Sequence, residues 1–161
     1  MRSLTIPTAR PRSPGGDRGF RRSPATTADE ILRRAASWLG VPYSQDAAHT
    51  NEFGTYRTDC SGFVAMAWGL PPGPRGGPNT VDLAATSVPI AKDDLRAGDV
   101  LIDANGDRRT RHATLFVAWA DAARTRYWAY EQCGGTGAVH RVLPYPSGGY
   151  RPYRHPGARP P

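Results

Sequence analysis

The chain has 161 residues, a formal net charge of +7 and a mean hydropathy of -0.55. That is one domain's worth of sequence with room for a modest core, and no apolar run approaches the ~20 residues that a membrane-spanning helix requires. Lys92 is the only lysine, so the positive charge is arginine; such a surface suits an anionic polymer, but without a helix-turn-helix pattern, zinc-knuckle spacing or basic run interleaved with aromatics, nucleic acid is not the expected partner.

Residues 1–27 are rich in Pro, Gly, Ser and Arg and read as a disordered basic arm. They hold no apolar stretch of about 7–15 residues, so they do not read as a secretory signal. A cytoplasmic protein, a start further upstream and another export route all fit. The ordered domain is expected over residues 28–155. Thr27-Ala28-Asp29-Glu30 matches a capping box, and Ile31, Leu32, Ala35, Ala36 and Leu39 recur at helical spacing until Gly40 and Pro42 stop the helix. Residues 43–58 are polar and irregular. Asp59 can cap a second helix, with Cys60 in its first turn, Phe63, Val64, Ala67 and Trp68 on a buried face, and Pro71-Pro72 beyond its end. "PPGPRGGPN" reads as loop. Strands are then expected at Val100-Leu101-Ile102, "HATLFVAW", "YWAYEQ" and "AVHRVL", with an edge strand in "YRPYRHP" and a flexible tail over residues 156–161. Helices first and strands afterwards define an α+β domain with a mostly antiparallel sheet.

Cys60 is placed as a reactive thiol should be, because exposed N–H groups and the macrodipole at a helix amino terminus favour the thiolate. Gly62 beside it leaves room for a substrate to approach closely. His112 opens a strand and can act as the base, holding the thiol proton and later donating it to a leaving amine. A third polar group normally fixes the imidazole. Glu131 is the first candidate and Gln132 the alternative, on opposite faces of one strand. Each residue also has a plain structural reading: a core cysteine, a turn histidine, a surface carboxylate. Only their joint order points to catalysis. Cys133 reads as structural or incidental, and bonding it to Cys60 would destroy the nucleophile. His49, His112, His140 and His155 lack C-x-x-C or H-x-x-x-H spacing, so a metal site is not expected.

"DCSGFV" at 59–64, with "ILRRAASWLGVPY", "DDLRAGDVL" and "RHATLFVAW", resembles the NlpC/p60 family of papain-like cysteine peptidases over residues 28 to about 153. The resemblance implies a papain-like fold in which a nucleophile-bearing helix packs on a sheet of about 4–6 strands. It further implies Cys60 as nucleophile, His112 as base and Glu131 as third residue. Tyr43, Asp59 and Ser61 would line the substrate and oxyanion site, the oxyanion being held by the Cys60 N–H and the Tyr43 hydroxyl. The implied substrate is bacterial peptidoglycan, cleaved at amide bonds of its stem peptides such as D-glutamyl–diamino acid. No cofactor is implied, and the protein is expected to be a monomer in the cell envelope or secreted. A third residue of the Glu131 kind resembles the related CHAP amidase/peptidase domains. After Tyr43, "SQDAAHTNEFGTYRT" departs from the short glycine-rich turn usual in the family, which implies a remodelled cleft rim. An amidase or acyltransferase on a non-wall substrate is the alternative, and a non-catalytic binding module the third reading.

Overall fold

The structure is a computed structural model that describes residues 25–161. The basic arm expected over residues 1–27 lies outside the described residues apart from its last three. Three helices, α1 (Ala28–Ala36), α2 (Cys60–Trp68) and α3 (Thr80–Thr86), precede most of the sheet. The strands are β1 (Ala48–Asn51), β2 (Gly54–Arg57), β3 (Val88–Pro89), β4 (Val100–Asp103), β5 (His112–Trp119), β6 (Arg126–Cys133), β7 (Gly137–Pro144) and β8 (Arg151–Arg154). β1 and β2 form a hairpin. The other six make one antiparallel sheet in the order β3-β8-β4-β5-β6-β7. The class is α+β, as the sequence implies. Among the described residues no helix is long and apolar enough to cross a membrane.

α1 starts with the expected reciprocal cap. The Thr27 hydroxyl oxygen accepts the Glu30 N–H at 3.2 Å, and the Thr27 N–H donates to Glu30 Oε2 at 2.8 Å. The sequence spacing carries the buried stripe on to Leu39. The helix instead stops at Ala36, and the turn that follows buries Trp38 and leaves Leu39 exposed.

Asp59 caps α2, its Oδ1 accepting the Gly62 N–H at 2.8 Å. The sequence assigns this helix one buried face. All nine of its residues are buried, because α1, β2, β5, β6 and α3 surround it, and a helix that is apolar all round belongs in a core. Gly69, left-handed at φ 67°, ends it two residues before the prolines. Gly62 does not open space for a substrate. A Cβ there would collide with the Arg57 carbonyl, so the glycine lets the end of β2 lie against the helix.

Alternation divides the sheet between two cores. Val100, Ile102, Ala113, Leu115 and Ala138 face the helices, while Leu101, Phe116, Tyr127 and Ala129 pack with Leu95 on the other side. Three features depart from the sequence reading. The irregular stretch 43–58 contains the β1–β2 hairpin, whose half-exposed strands carry little apolar alternation. α3 was read as neither helix nor strand, yet Asn79 and Asp82 form a capping box at its start. β8 is not an edge strand. It lies between β3 and β4, where Arg154 reaches the buried Asp99 with bonds of 2.9 and 2.8 Å. Beyond it, Thr26 donates to the Gly157 carbonyl at 3.0 Å and accepts from the Arg159 N–H at 2.9 Å.

Because Gly62 has no space for a methyl group, Gly62→Ala should destabilise the fold by about 1–3 kcal/mol. Thermal denaturation followed by circular dichroism should show Tm falling by roughly 2–4 °C per kcal/mol lost.

Candidate functional site

The site assembles where the amino terminus of α2 meets the start of β5. Its foundation is Arg57, which sequence reading did not single out among twenty arginines. Its Nε donates to Asp59 Oδ2 at 2.8 Å, one terminal nitrogen to the Arg75 and Gly77 carbonyls at 2.9 and 2.7 Å, and the other to Ser61 Oγ and the Pro78 carbonyl, both at 3.0 Å. These bonds employ every donor of the guanidinium. They tie the glycine-rich loop before α3 to the first turn of α2. Asp59 and Ser61 therefore reach the cleft wall with their side chains already engaged: Asp59 by Arg57 and the helix cap, Ser61 between Arg57 and Asp59.

Cys60 follows the cap, 6% exposed, with its sulfur 4.0 Å from Thr80 Oγ1. As the first residue of the helix it belongs to the turn whose N–H groups have no intrahelical acceptor. His112, opening β5, turns Nε2 to Glu131 Oε2 at 2.9 Å, and the Cys60 thiol interacts with the same ring. With Nε2 engaged by the carboxylate, Nδ1 is the ring nitrogen left for another partner.

Glu131 is almost fully buried and its second oxygen accepts from Arg141 of β7, through Nε at 2.9 Å and through a terminal nitrogen. The β6–β7 register explains this contact. Glu131 pairs with Val139, and Arg141 stands two residues further along the same face. Arg141 was also missed from sequence, although the tight "CGGTG" turn contains the signal that sets the register.

Burial is the largest influence on both groups and opposes their charge, yet each remains ionised. At His112 the bonds and charges of Cys60 and Glu131 outweigh desolvation and lift the pKa to about 10. At Glu131 burial pushes upward, but His112 and Arg141 outweigh it and hold the carboxyl below its usual range.

Gln132 points the other way. Its Nε2 donates to the Val41 carbonyl at 3.0 Å, so it fixes the segment that leads to Tyr43 and makes no hydrogen bond to His112. The Tyr43 hydroxyl accepts from Gln45 Nε2 at 3.2 Å, which leaves its own proton free for the cleft. Tyr43 and Cys60 line one recess with Asn79, Thr80 and Arg111. A second recess of about 520 Å³ continues past His112, Arg109, Arg111 and Cys133. Both cysteines are free thiols. Among the described residues no group of three or more His, Cys, Asp or Glu side chains is arranged to hold a metal ion.

No known protein-family model matches the chain, and no curated protein matches it. Among solved structures it is similar to a protein from Staphylococcus aureus described as similar to a lipoprotein of the NLP/P60 family. The two share 18% identity with a TM-score of 0.47, over 77% of this chain and 40% of that one. This chain thus spans about two fifths of that protein's length.

The His112–Glu131 pair dictates how stability responds to pH. The raised His112 pKa contributes stability that is complete below the unfolded value of ~6.5 and is lost as pH rises through about 10. The lowered Glu131 pKa contributes stability present above its ordinary value of 4.5 and lost as pH falls through the folded one. Stability from this pair should peak between those limits, and Glu131→Gln should flatten both limbs. Urea denaturation across the pH range checks this, and NMR titration of His112 should place its pKa lower in the variant.

Proposed function

We propose that the chain is a cysteine peptidase or amidase that cleaves amide bonds in the stem peptides of bacterial peptidoglycan. The observation that carries this reading is the hydrogen-bonded line His112, Glu131 and Arg141, together with Cys60, which stands at a helix amino terminus, opens on a cleft and raises the His112 pKa. His112 already holds the proton as the imidazolium, and Cys60 Sγ attacks the substrate carbonyl carbon as its thiolate partner. The oxyanion is met by the Cys60 N–H and the Tyr43 hydroxyl proton. The imidazolium then protonates the departing amine as the C–N bond breaks, leaving a thioester on Cys60. Water, deprotonated by His112, attacks the thioester, and the acid leaves as the thiol is restored. Glu131 holds the ring throughout, and Arg141 holds Glu131.

The choice of peptidoglycan rests on the motif resemblance of residues 28 to about 153, "DCSGFV" foremost, and on a net charge of +7 that suits an anionic wall. A D-glutamyl–diamino acid bond is the scissile bond this resemblance favours. The cell envelope is then the place of action.

Purified peptidoglycan incubated with the wild type should release soluble stem-peptide fragments, identified by mass spectrometry, and Cys60→Ala should release none. Silence from the wild type while Cys60 remains alkylatable would move the assignment to another amide or to acyl transfer. On a substrate that is cleaved, Tyr43→Phe should lower kcat by about 10²–10³-fold, the usual effect of losing one oxyanion donor.

A further inference from the structure

The connection between β4 and β5, "ANGDRRTR" at 104–111, carries three arginines across the mouth of the cleft. The loop is built to hold a shape. Asp107 Oδ1 accepts the Arg109 and Thr110 N–H groups at 2.8 and 3.2 Å, Thr110 Oγ1 accepts the Asp107 N–H at 3.0 Å, and the Arg111 N–H donates to the Asp107 carbonyl at 3.0 Å. Gln45 pins it from the opposite rim, donating to the Arg108 carbonyl and accepting from Arg108 Nε, both at 2.6 Å.

Like charges held this close repel one another, so the cluster needs an explanation. Among the described residues, Arg109 and Arg111 make no salt bridge, and Arg108 meets only the exposed Asp46 at 3.8 Å. Arg111 is the notable member. It precedes His112, lines the recesses on both sides of the Cys60–His112 pair, and its Nε is buried without a hydrogen-bond partner. A carboxylate is the acceptor that fits the planar fork of a guanidinium lining a recess. The cleft itself supplies none. The recess past His112 has no acidic residue in its wall, and Asp59 in the other is committed to Arg57 and the helix cap.

We infer that Arg111 and Arg109 form a carboxylate-binding subsite beside His112, and that it selects amides whose amine-side residue carries a free carboxylate. The side follows from the chemistry. His112 protonates the departing amine, so the leaving portion occupies the recess past His112, where both arginines stand. This assignment rests on the proposed Cys60–His112 reaction and narrows it from amides in general to those with an anionic leaving residue. Arg108, tied back by Gln45, positions the loop.

The test uses two pairs of probes matched in shape and differing in charge. Iodoacetate and iodoacetamide both alkylate Cys60, and mass spectrometry of the Cys60 peptide separates this reaction from that at Cys133. The iodoacetate-to-iodoacetamide rate ratio should fall about fivefold or more from wild type to Arg109→Gln/Arg111→Gln, and added salt should lower it in the wild type. Taking the ratio cancels a general loss of thiol reactivity. The second pair is a stem peptide with the leaving residue's carboxylate free or converted to carboxamide. The wild type should favour the free acid in kcat/KM by about tenfold, the preference expected from one lost charged contact, and the double variant should lose that preference. A ratio that stays the same for the reagents, or equal kcat/KM for the two peptides, overturns the subsite even if Cys60 is a working nucleophile. A Cys60 that neither reagent modifies overturns the hydrolase reading and the subsite with it. Should the double variant not fold, Arg109→Gln alone and the wild-type salt dependence decide, a salt-independent ratio counting against the proposal.

Discussion

The enclosure of α2 governs the rest of the structure. A helix with an exposed face can rotate or slide to suit its neighbours, but one buried on every side is held by whatever packs around it. Here α1 grips it through Arg34, whose Nε donates to the Ala67 carbonyl at 2.7 Å, while the indole of Trp68 donates to the Gly98 carbonyl at 2.9 Å. At the other end Gly62 brings the helix against the Arg57 backbone. Its first turn can then face only the cleft between the β1–β2 side and the sheet. The position of Cys60 is thus a result of core packing, reinforced by the Asp59 cap and the five bonds of Arg57.

A second constraint is the charge buried at Glu131. A carboxylate removed from water without partners would take up a proton or unfold its surroundings. Each of its oxygens instead has a cationic neighbour, His112 on one side and Arg141 on the other. This arrangement does more than hold the carboxylate ionised. It also fixes the His112 ring through Nε2 and leaves Nδ1 free of the carboxylate. Structural need and proposed chemistry coincide in one interaction, and disturbing either would disturb both.

Around this fixed centre the rim follows different rules. The arginine loop between β4 and β5 is solvated, short of apolar residues and held by side-chain bonds, with Gln45 reaching it from the Tyr43 side of the cleft. Hydrogen bonds of this kind fix a loop without committing it to the core. A cleft whose floor is set by packing and whose walls are set by polar loops can keep one reaction while changing what it accepts.

The sequence by itself determined the elements whose signal is local. The Thr27–Glu30 cap, the Asp59 cap with Cys60 behind it, the strands beginning at Val100, His112 and Tyr127, and the α+β class were all legible from hydrophobic periodicity and turn residues. Glu131 and Gln132 could be assigned to opposite faces because side chains alternate along a strand. The β1–β2 hairpin was not legible, since its strands are half exposed and carry little apolar alternation, and the seven-residue α3 is too short to display a helical period. Only the tertiary structure decided that β8 enters the sheet between β3 and β4, that Gly62 serves packing, that Gln132 holds Val41 while Glu131 holds His112, and that Arg57 and Arg141 support the site. In each of these cases the partner is distant in the chain or on another strand. Local sequence specifies the conformation of a segment, but which segments meet is decided by the burial and hydrogen-bond satisfaction of the whole.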